Sequence, residues 1–192
     1  MTDDVLLNRA AEGDEAAFLL LYERHRDLIL RFSYRLIGSI GAAEDVTHDT
    51  FLQVIRDPHR FDPARASFRT YLCAIARHLA LTRRRQRPVP APTGPPDAAC
   101  TDRGPLDHLI SAERARHVRR AVLDLPVPQR EVVILFDFEG LSLAETAAVI
   151  GTTVGSVKAR LHRARERLRR ALAAYVDRSA AHSSRRKSSH ET

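Results

Sequence analysis

Apolar residues recur along this chain at three- and four-residue steps, and no stretch alternates as a strand would, so the pattern predicts an all-α protein. Thr2 or Asp3 can cap a short first helix carrying Val5, Leu6 and Leu7 that closes near Gly13. Asp14 can cap a long second helix with Ala17, Phe18, Leu21, Leu28, Phe32 and Leu36 facing inward and Gly38 just past its end. A third helix is expected from about Ala42 to Arg56, with Val46, Thr50, Phe51, Val54 and Ile55 inward, stopping before Pro58. Residues Phe61 to Ser67 form a turn around Pro63. Ser67 then caps a fourth helix, whose buried face is Phe68, Leu72, Ile75 and Leu79 and whose end is basic: Arg83, Arg84, Arg85 and Arg87.

Between Pro88 and Pro105 the pattern stops. Six of the ten prolines fall there, and prolines at that density keep a chain extended, so 88–110 is expected to be a linker between two helical domains, 1–87 and 111–175. Helical periodicity resumes near Ser111 with Ala115, Val118 and Val122. It breaks at Pro126 and Pro128 and returns in a run rich in Val132, Val133, Leu135 and Phe136 that stops at Gly140. The tail, 176–192, is basic and polar and reads as disordered.

The second domain is organised around LSLAETAAVIGTTVGSVKARLHRARERLRRAL, from Leu141 to Leu172. Ser142 and Glu145 have the S-x-x-E spacing of a capping box. Gly151 can take the left-handed conformation that ends a helix, and Thr153 can cap the next one. Val154, Val157, Leu161, Ala164, Leu168 and Leu172 then mark one helical face. From 154 to 170 that helix carries seven cations (Lys158 and the arginines at 160, 163, 165, 167, 169 and 170) against one acid, Glu166. A helix–turn–helix with so basic a second helix suits the DNA major groove.

Composition narrows the function. Thirty-one Lys and Arg against 24 acids give a net charge of +7 over 192 residues, which favours a polyanionic partner. The charge is uneven. Seven acids face three arginines in the first 30 residues, and residues 44–57 hold four acids and one arginine, whereas the positive charge sits at the end of the fourth helix and on the recognition helix. No apolar run reaches the ~20 residues of a membrane span, and MTDDVLLNRAAEGD is too acidic for a signal peptide, so a cytoplasmic protein is expected. Two cysteines, Cys73 and Cys100, cannot form a disulfide framework.

Two stretches together carry a family likeness. AEDVTHDTFLQVIRDPHRFDPARASFRTYLCAIARHLALTRRRQR (43–87) resembles the helical domain of bacterial sigma factors that handles the −10 promoter element. LPVPQREVVILFDFEGLSLAETAAVIGTTVGSVKARLHRARERLRRAL (125–172) resembles their C-terminal domain, which reads the −35 element. With only these two domains and a linker, the chain is similar to the extracytoplasmic-function (ECF) class. The resemblance implies that the third helix docks on core RNA polymerase through Glu44, Asp45, His48, Asp49 and Gln53. It implies that the fourth helix holds the melted −10 strand. Arg69, Tyr71, Arg77, His78, Arg83 and Arg84 are its candidates, because unstacked bases need aromatic platforms and cations. Phe68 reads as core. Tyr71 stands where the family usually has tryptophan, and His78 where it often has asparagine. On the recognition helix, Ser156, Lys158, His162 and Arg163 are candidates for base edges, with Arg160, Arg165 and Arg130 nearer phosphates. The resemblance also implies an anti-sigma protein as a regulator.

Two other classes fit less well. The chain lacks a phosphate-cradling glycine loop, a nucleophile elbow and metal-ligand spacing, so no enzyme, metal or cofactor is expected. A stand-alone helix–turn–helix regulator would explain the second domain but would leave the acidic third helix and the basic fourth without work.

Overall fold

The computed structural model describes residues 1–86 and 105–188, with side chains for 1–84 and 113–173. Among these residues the fold is helical throughout: α1 (Asp3–Ala11), α2 (Glu15–Ile37), α3 (Ile40–Arg56), a 3₁₀ turn (Pro58–Arg60), α4 (Phe68–Gln86), α5 (Pro105–Leu123), α6 (Val127–Val133), α7 (Leu143–Ile150) and α8 (Val154–Ser188). Residues 87–104, which include most of the expected linker and Cys100, and residues 189–192 lie outside the described residues.

Local chemistry sets the boundaries. The Asp14 carboxylate accepts from the amide of Ala17 (3.0 Å), and the hydroxyl of Ser67 accepts from the amide of Thr70 (3.2 Å). The third helix starts two residues earlier than the pattern indicates because Ser39 is its cap, accepting from Ala42. Gly38 ends α2 at φ 91°, a left-handed conformation that favours glycine, and a Cβ there would stand 3.2 Å from Leu123 and crowd its methyls.

In the first half α2 is the spine, and α1, α3 and α4 pack around it over Leu6, Leu21, Ile29, Phe32, Leu36, Val46, Val54 and Leu72, all essentially buried. In the second half α6, α7 and α8 enclose Leu125, Val132, Val133, Ala147, Val157, Leu161 and Ala164. The two cores are not separate. Val122, Ile134, Leu135, Leu141 and Val149 of the second half close on the first half's core, chiefly against α2 and α4.

Three expectations are corrected. α5 begins at Pro105, inside the expected linker, because proline is tolerated in the first turn of a helix, where its missing N–H costs nothing. The run after α6 is not one α-helix: Ile134–Phe138 forms a π-helical turn, with the Glu139 amide donating to the Ile134 carbonyl at 2.9 Å. The tail is not irregular as far as Ser188, since α8 continues through it, with no glycine or proline between Ser156 and Ser188 to stop the helix.

Candidate nucleic-acid interface

The helix–turn–helix forms as its residues dictate. The Ser142 hydroxyl accepts from the Glu145 amide (3.1 Å) while the Glu145 carboxylate accepts from the Ser142 amide (2.9 Å). Gly151 turns the chain at φ 73°, and the Thr153 hydroxyl accepts from the Ser156 amide (3.2 Å) to open α8. Val157, Leu161 and Ala164 are buried, which turns Lys158, His162 and Arg163 outward into solvent. Ser156 and Arg160 are half-buried beside them. Arg165, two turns beyond Lys158 on the same exposed side of α8, pairs with Asp137 and lies over the ring of Phe136, so its charge is partly spent within the domain.

On α3, Glu44, Asp45 and His48 are exposed, Asp49 and Gln53 half-buried, and Leu52 shows an apolar edge among them. Asp45 and Asp49, one helical turn apart, both hold Arg83 of α4. The acidic patch and the basic helix end, assigned to different partners from the sequence, are thus joined by one guanidinium.

The α4 candidates divide. His78 is exposed and Arg84 half-buried. Tyr71 is half-buried and packs against Phe61 and Phe68, and Phe68 itself is core as expected. Phe61 and Tyr71 line a cleft of about 260 Å³ with Arg60 and Arg65 on one side and Ala148 and Val149 of α7 on the other. Arg69 and Arg77 face the second half. Arg69 donates to the Glu139 carbonyl, and Arg77 donates twice to Glu131 (3.0 and 3.2 Å).

Arg130 is a correction. Expected near a DNA phosphate, it is 4% exposed, and its guanidinium donates to the carbonyls of Leu123 and Leu125 in its own half and to that of Leu36 across the seam between the halves. Burial, and then Arg84 nearby, pull its pKa down to about 10. A side chain so placed holds the fold together instead of reaching solvent.

Sequence reasoning missed the acids of this seam. Glu131 and Glu139 are 3–4% exposed, Glu139 meeting Arg35 at 2.7 Å, and the Thr70 hydroxyl donates to Glu145 (3.0 Å). Burial pushes the Glu139 carboxyl above the usual carboxylate range, and Arg35, Arg31 and Arg69 pull against it. It missed Phe61, Arg60 and Arg65 too; the only available signal was their position in the turn ahead of Tyr71.

Comparison with known proteins follows the same division. The Sigma-70 region 2 model matches residues 21–88, and the Sigma-70 region 4 model residues 115–168. The ECF RNA polymerase sigma factor SigC of Mycobacterium tuberculosis is 36% identical over 170 residues, covering 83% of this chain and 85% of that one. The ECF RNA polymerase sigma factor SigW of Bacillus subtilis is 29% identical over 177 residues, covering 86% and 94%. Among solved structures, CnrH in complex with the cytosolic domain of CnrY superposes with a TM-score of 0.66 at 29% identity, covering 90% of this chain and 97% of that one.

Proposed function

Because the chain belongs to the ECF RNA polymerase sigma factors, we propose that its two halves divide the work of promoter selection between the residues placed above. As a sigma factor it directs RNA polymerase to promoters, and it is a regulatory protein with no chemistry of its own. The α3 face of Glu44, Asp45, His48, Asp49 and Gln53 docks on core polymerase, Leu52 adding apolar area at its centre. The exposed Lys158, His162 and Arg163 of α8, with Ser156, enter the major groove of the −35 element, Arg160 and Arg165 lying nearer the phosphates. Tyr71, His78, Arg69, Arg77, Arg83 and Arg84 hold the melted −10 strand, with the Phe61–Tyr71 cleft as an aromatic seat for an unstacked base.

The observation that carries this reading is the pairing of an outward-turned basic recognition helix with a separate acidic helix face in one chain. A stand-alone regulator needs only the first. Run-off transcription with purified core polymerase tests it: the protein should confer initiation at a cognate promoter. Tight binding to duplex promoter DNA with no activation of core polymerase would mean a stand-alone regulator.

An anti-sigma protein is the regulator we propose, one that covers the polymerase- and DNA-facing surfaces until a signal releases them, in a stress or envelope response. CnrH, solved with the cytosolic domain of a second protein, supports a protein partner of this kind. Among the described residues no helix is long and apolar enough to cross a membrane, so tethering to one would come through that partner.

A further inference from the structure

None of the surfaces assigned above uses α1, yet its first turn is tied to α2 by polar contacts. Arg24 donates to the Asp3 carboxylate and, at 3.4 Å, to the Met1 carbonyl, and His25 Nε2 meets the other Asp3 oxygen at 2.9 Å. His25 is buried, and its ring makes a T-shaped contact with Phe68, the centroids 5.3 Å apart and the planes at 66°. Phe68 makes another with Phe61 (5.1 Å, 80°), and Phe61 lies against Tyr71 at 5.4 Å. One aromatic chain therefore runs from the anchor on α1 to the cleft proposed to seat an unstacked base. We infer that His25 is a positioning residue for strand capture: Asp3 fixes its ring, its ring fixes Phe68, and Phe68 fixes the Phe61–Tyr71 seat. The inference rests on the strand-binding role proposed for that seat.

Two features make the seat depend on this ring. The turn ahead of α4 is not packed solidly against α1: Phe61, Pro63 and Phe68 line a cavity of about 440 Å³ together with Thr2, Asp3 and Arg24. Close packing would hold the turn from every side, whereas beside a void the aromatic contacts are what locate it. The site also favours one form of the ring. Burial lowers the His25 pKa below the usual 6.5, with Asp3 on α1 opposing and Arg24 on α2 and Arg69 on α4 adding to the effect. The neutral ring, donating its Nε2–H to Asp3, is thus the form that fits. A proton added to it places a charge where the site disfavours one, and a ring that moves toward water withdraws from Phe68. A base gains fully from an aromatic seat only when the seat is already in place, because ordering it during binding offsets the stacking.

The test is holoenzyme binding to a fluorescent single strand that carries the non-template −10 sequence of a promoter it uses. At pH 7.5 His25→Ala should weaken strand binding about tenfold, while binding to a −35 duplex and affinity for core polymerase stay at the parent values. His25→Phe, which keeps a ring against Phe68, should recover most of the loss. Asp3→Ala serves if His25→Ala folds poorly. As pH is lowered from 7.5 to 5, the parent should lose strand affinity about threefold or more, the decline setting in below about 6.5, and His25→Phe should stay flatter. His78 is common to both proteins and leaves that comparison unaffected. The chain has no tryptophan, so Tyr71→Trp gives the free protein a single reporter in the seat. Its emission should shift over the same pH range and hold constant once His25→Phe is added. If His25→Ala binds the strand as the parent does, the inference is overturned and the role of the seat stands. Equal losses of strand, duplex and core binding overturn it too, since they mark general loosening, and so does a pH profile or emission shift that His25→Phe leaves unchanged. A parent holoenzyme that fails to hold the strand removes the role of the seat and the inference with it.

Discussion

Arg77 of α4 and Glu131 of α6 meet at 3.0 Å across the seam between the two halves, the carboxylate buried and the guanidinium partly open to solvent. Removing either partner strands the other charge. Because Arg77 keeps some access to water, the loss should fall below that of a fully buried pair, at about 1–3 kcal/mol. Urea unfolding of Arg77→Ala, Glu131→Ala and the double variant should show clear coupling, the double variant costing less than the two singles together. Additive losses would mean that the pair does not bind the halves.

Recognition of the −35 element should depend on Lys158 and Arg163. Each alanine variant should weaken holoenzyme binding to promoter DNA by about 1–3 kcal/mol, while assembly with core polymerase is unchanged. Gel-shift titration and polymerase pull-down separate the two. Equal loss in both assays would remove the α8 face from DNA contact.

Charge reversal at Asp45 or Asp49 should lower affinity for core polymerase, read by competition against another sigma factor. Each reversal also removes one of the two carboxylates that hold Arg83. Arg83→Ala is therefore the control: it should leave core affinity close to that of the parent, which assigns the effect to the acids. Assembly that survives Asp45→Lys and Asp49→Lys unaltered would place the core-polymerase contact elsewhere.

The pH dependence of stability should bear the mark of His25. Its ring packs on Phe68 and meets Asp3 at 2.9 Å. Burial lowers its pKa below the usual 6.5, with Arg24 and Arg69 adding to the effect and Asp3 opposing it. The unfolded chain thus takes up a proton at higher pH than the folded one. The stability His25 contributes is complete above the unfolded value and is lost as pH falls below about 6.5 toward the folded value. Thermal unfolding between pH 7.5 and 5.5 should show a falling Tm that is flatter in His25→Gln. Glu145, held low by the Ser142 amide and hydroxyl, adds acid sensitivity only below the usual carboxylate range.

Ser142→Ala should lower stability by about 1 kcal/mol through loss of the cap alone. A Tm shift with little change in promoter specificity checks this; a lost −35 preference would give Ser142 a direct DNA role.

The sequence and the structure agree best where the signals are local. The capping box at Ser142, the turn at Gly151 and the outward placement of Lys158 and Arg163 follow from residues within a few positions of one another. The start of α5 was obscured because Pro105 has the same identity in a linker as in the first turn of a helix. The seam was illegible for a different reason. Arg77 and Glu131 are 54 residues apart, and nothing in either helix's periodicity states that the two faces will meet. Arg130 misled in the same way. An arginine ahead of a helix–turn–helix suggests phosphate, and only the packing of α5 and α2 shows that three backbone carbonyls receive it instead.

The π-helical turn at Ile134–Phe138 amounts to one residue more than an α-helix would use for the same advance. Each residue in a helix rotates its successors by about 100°, so that single insertion sets the azimuth of everything after it. It brings the Glu139 side chain inward onto Arg35 and its carbonyl onto Arg69, leaving Asp137 outside to meet Arg165. A chain one residue shorter there would keep its helix–turn–helix intact and lose the acid facing α2. That one extra residue therefore sets how the second half meets the first, with the internal geometry of the helix–turn–helix untouched.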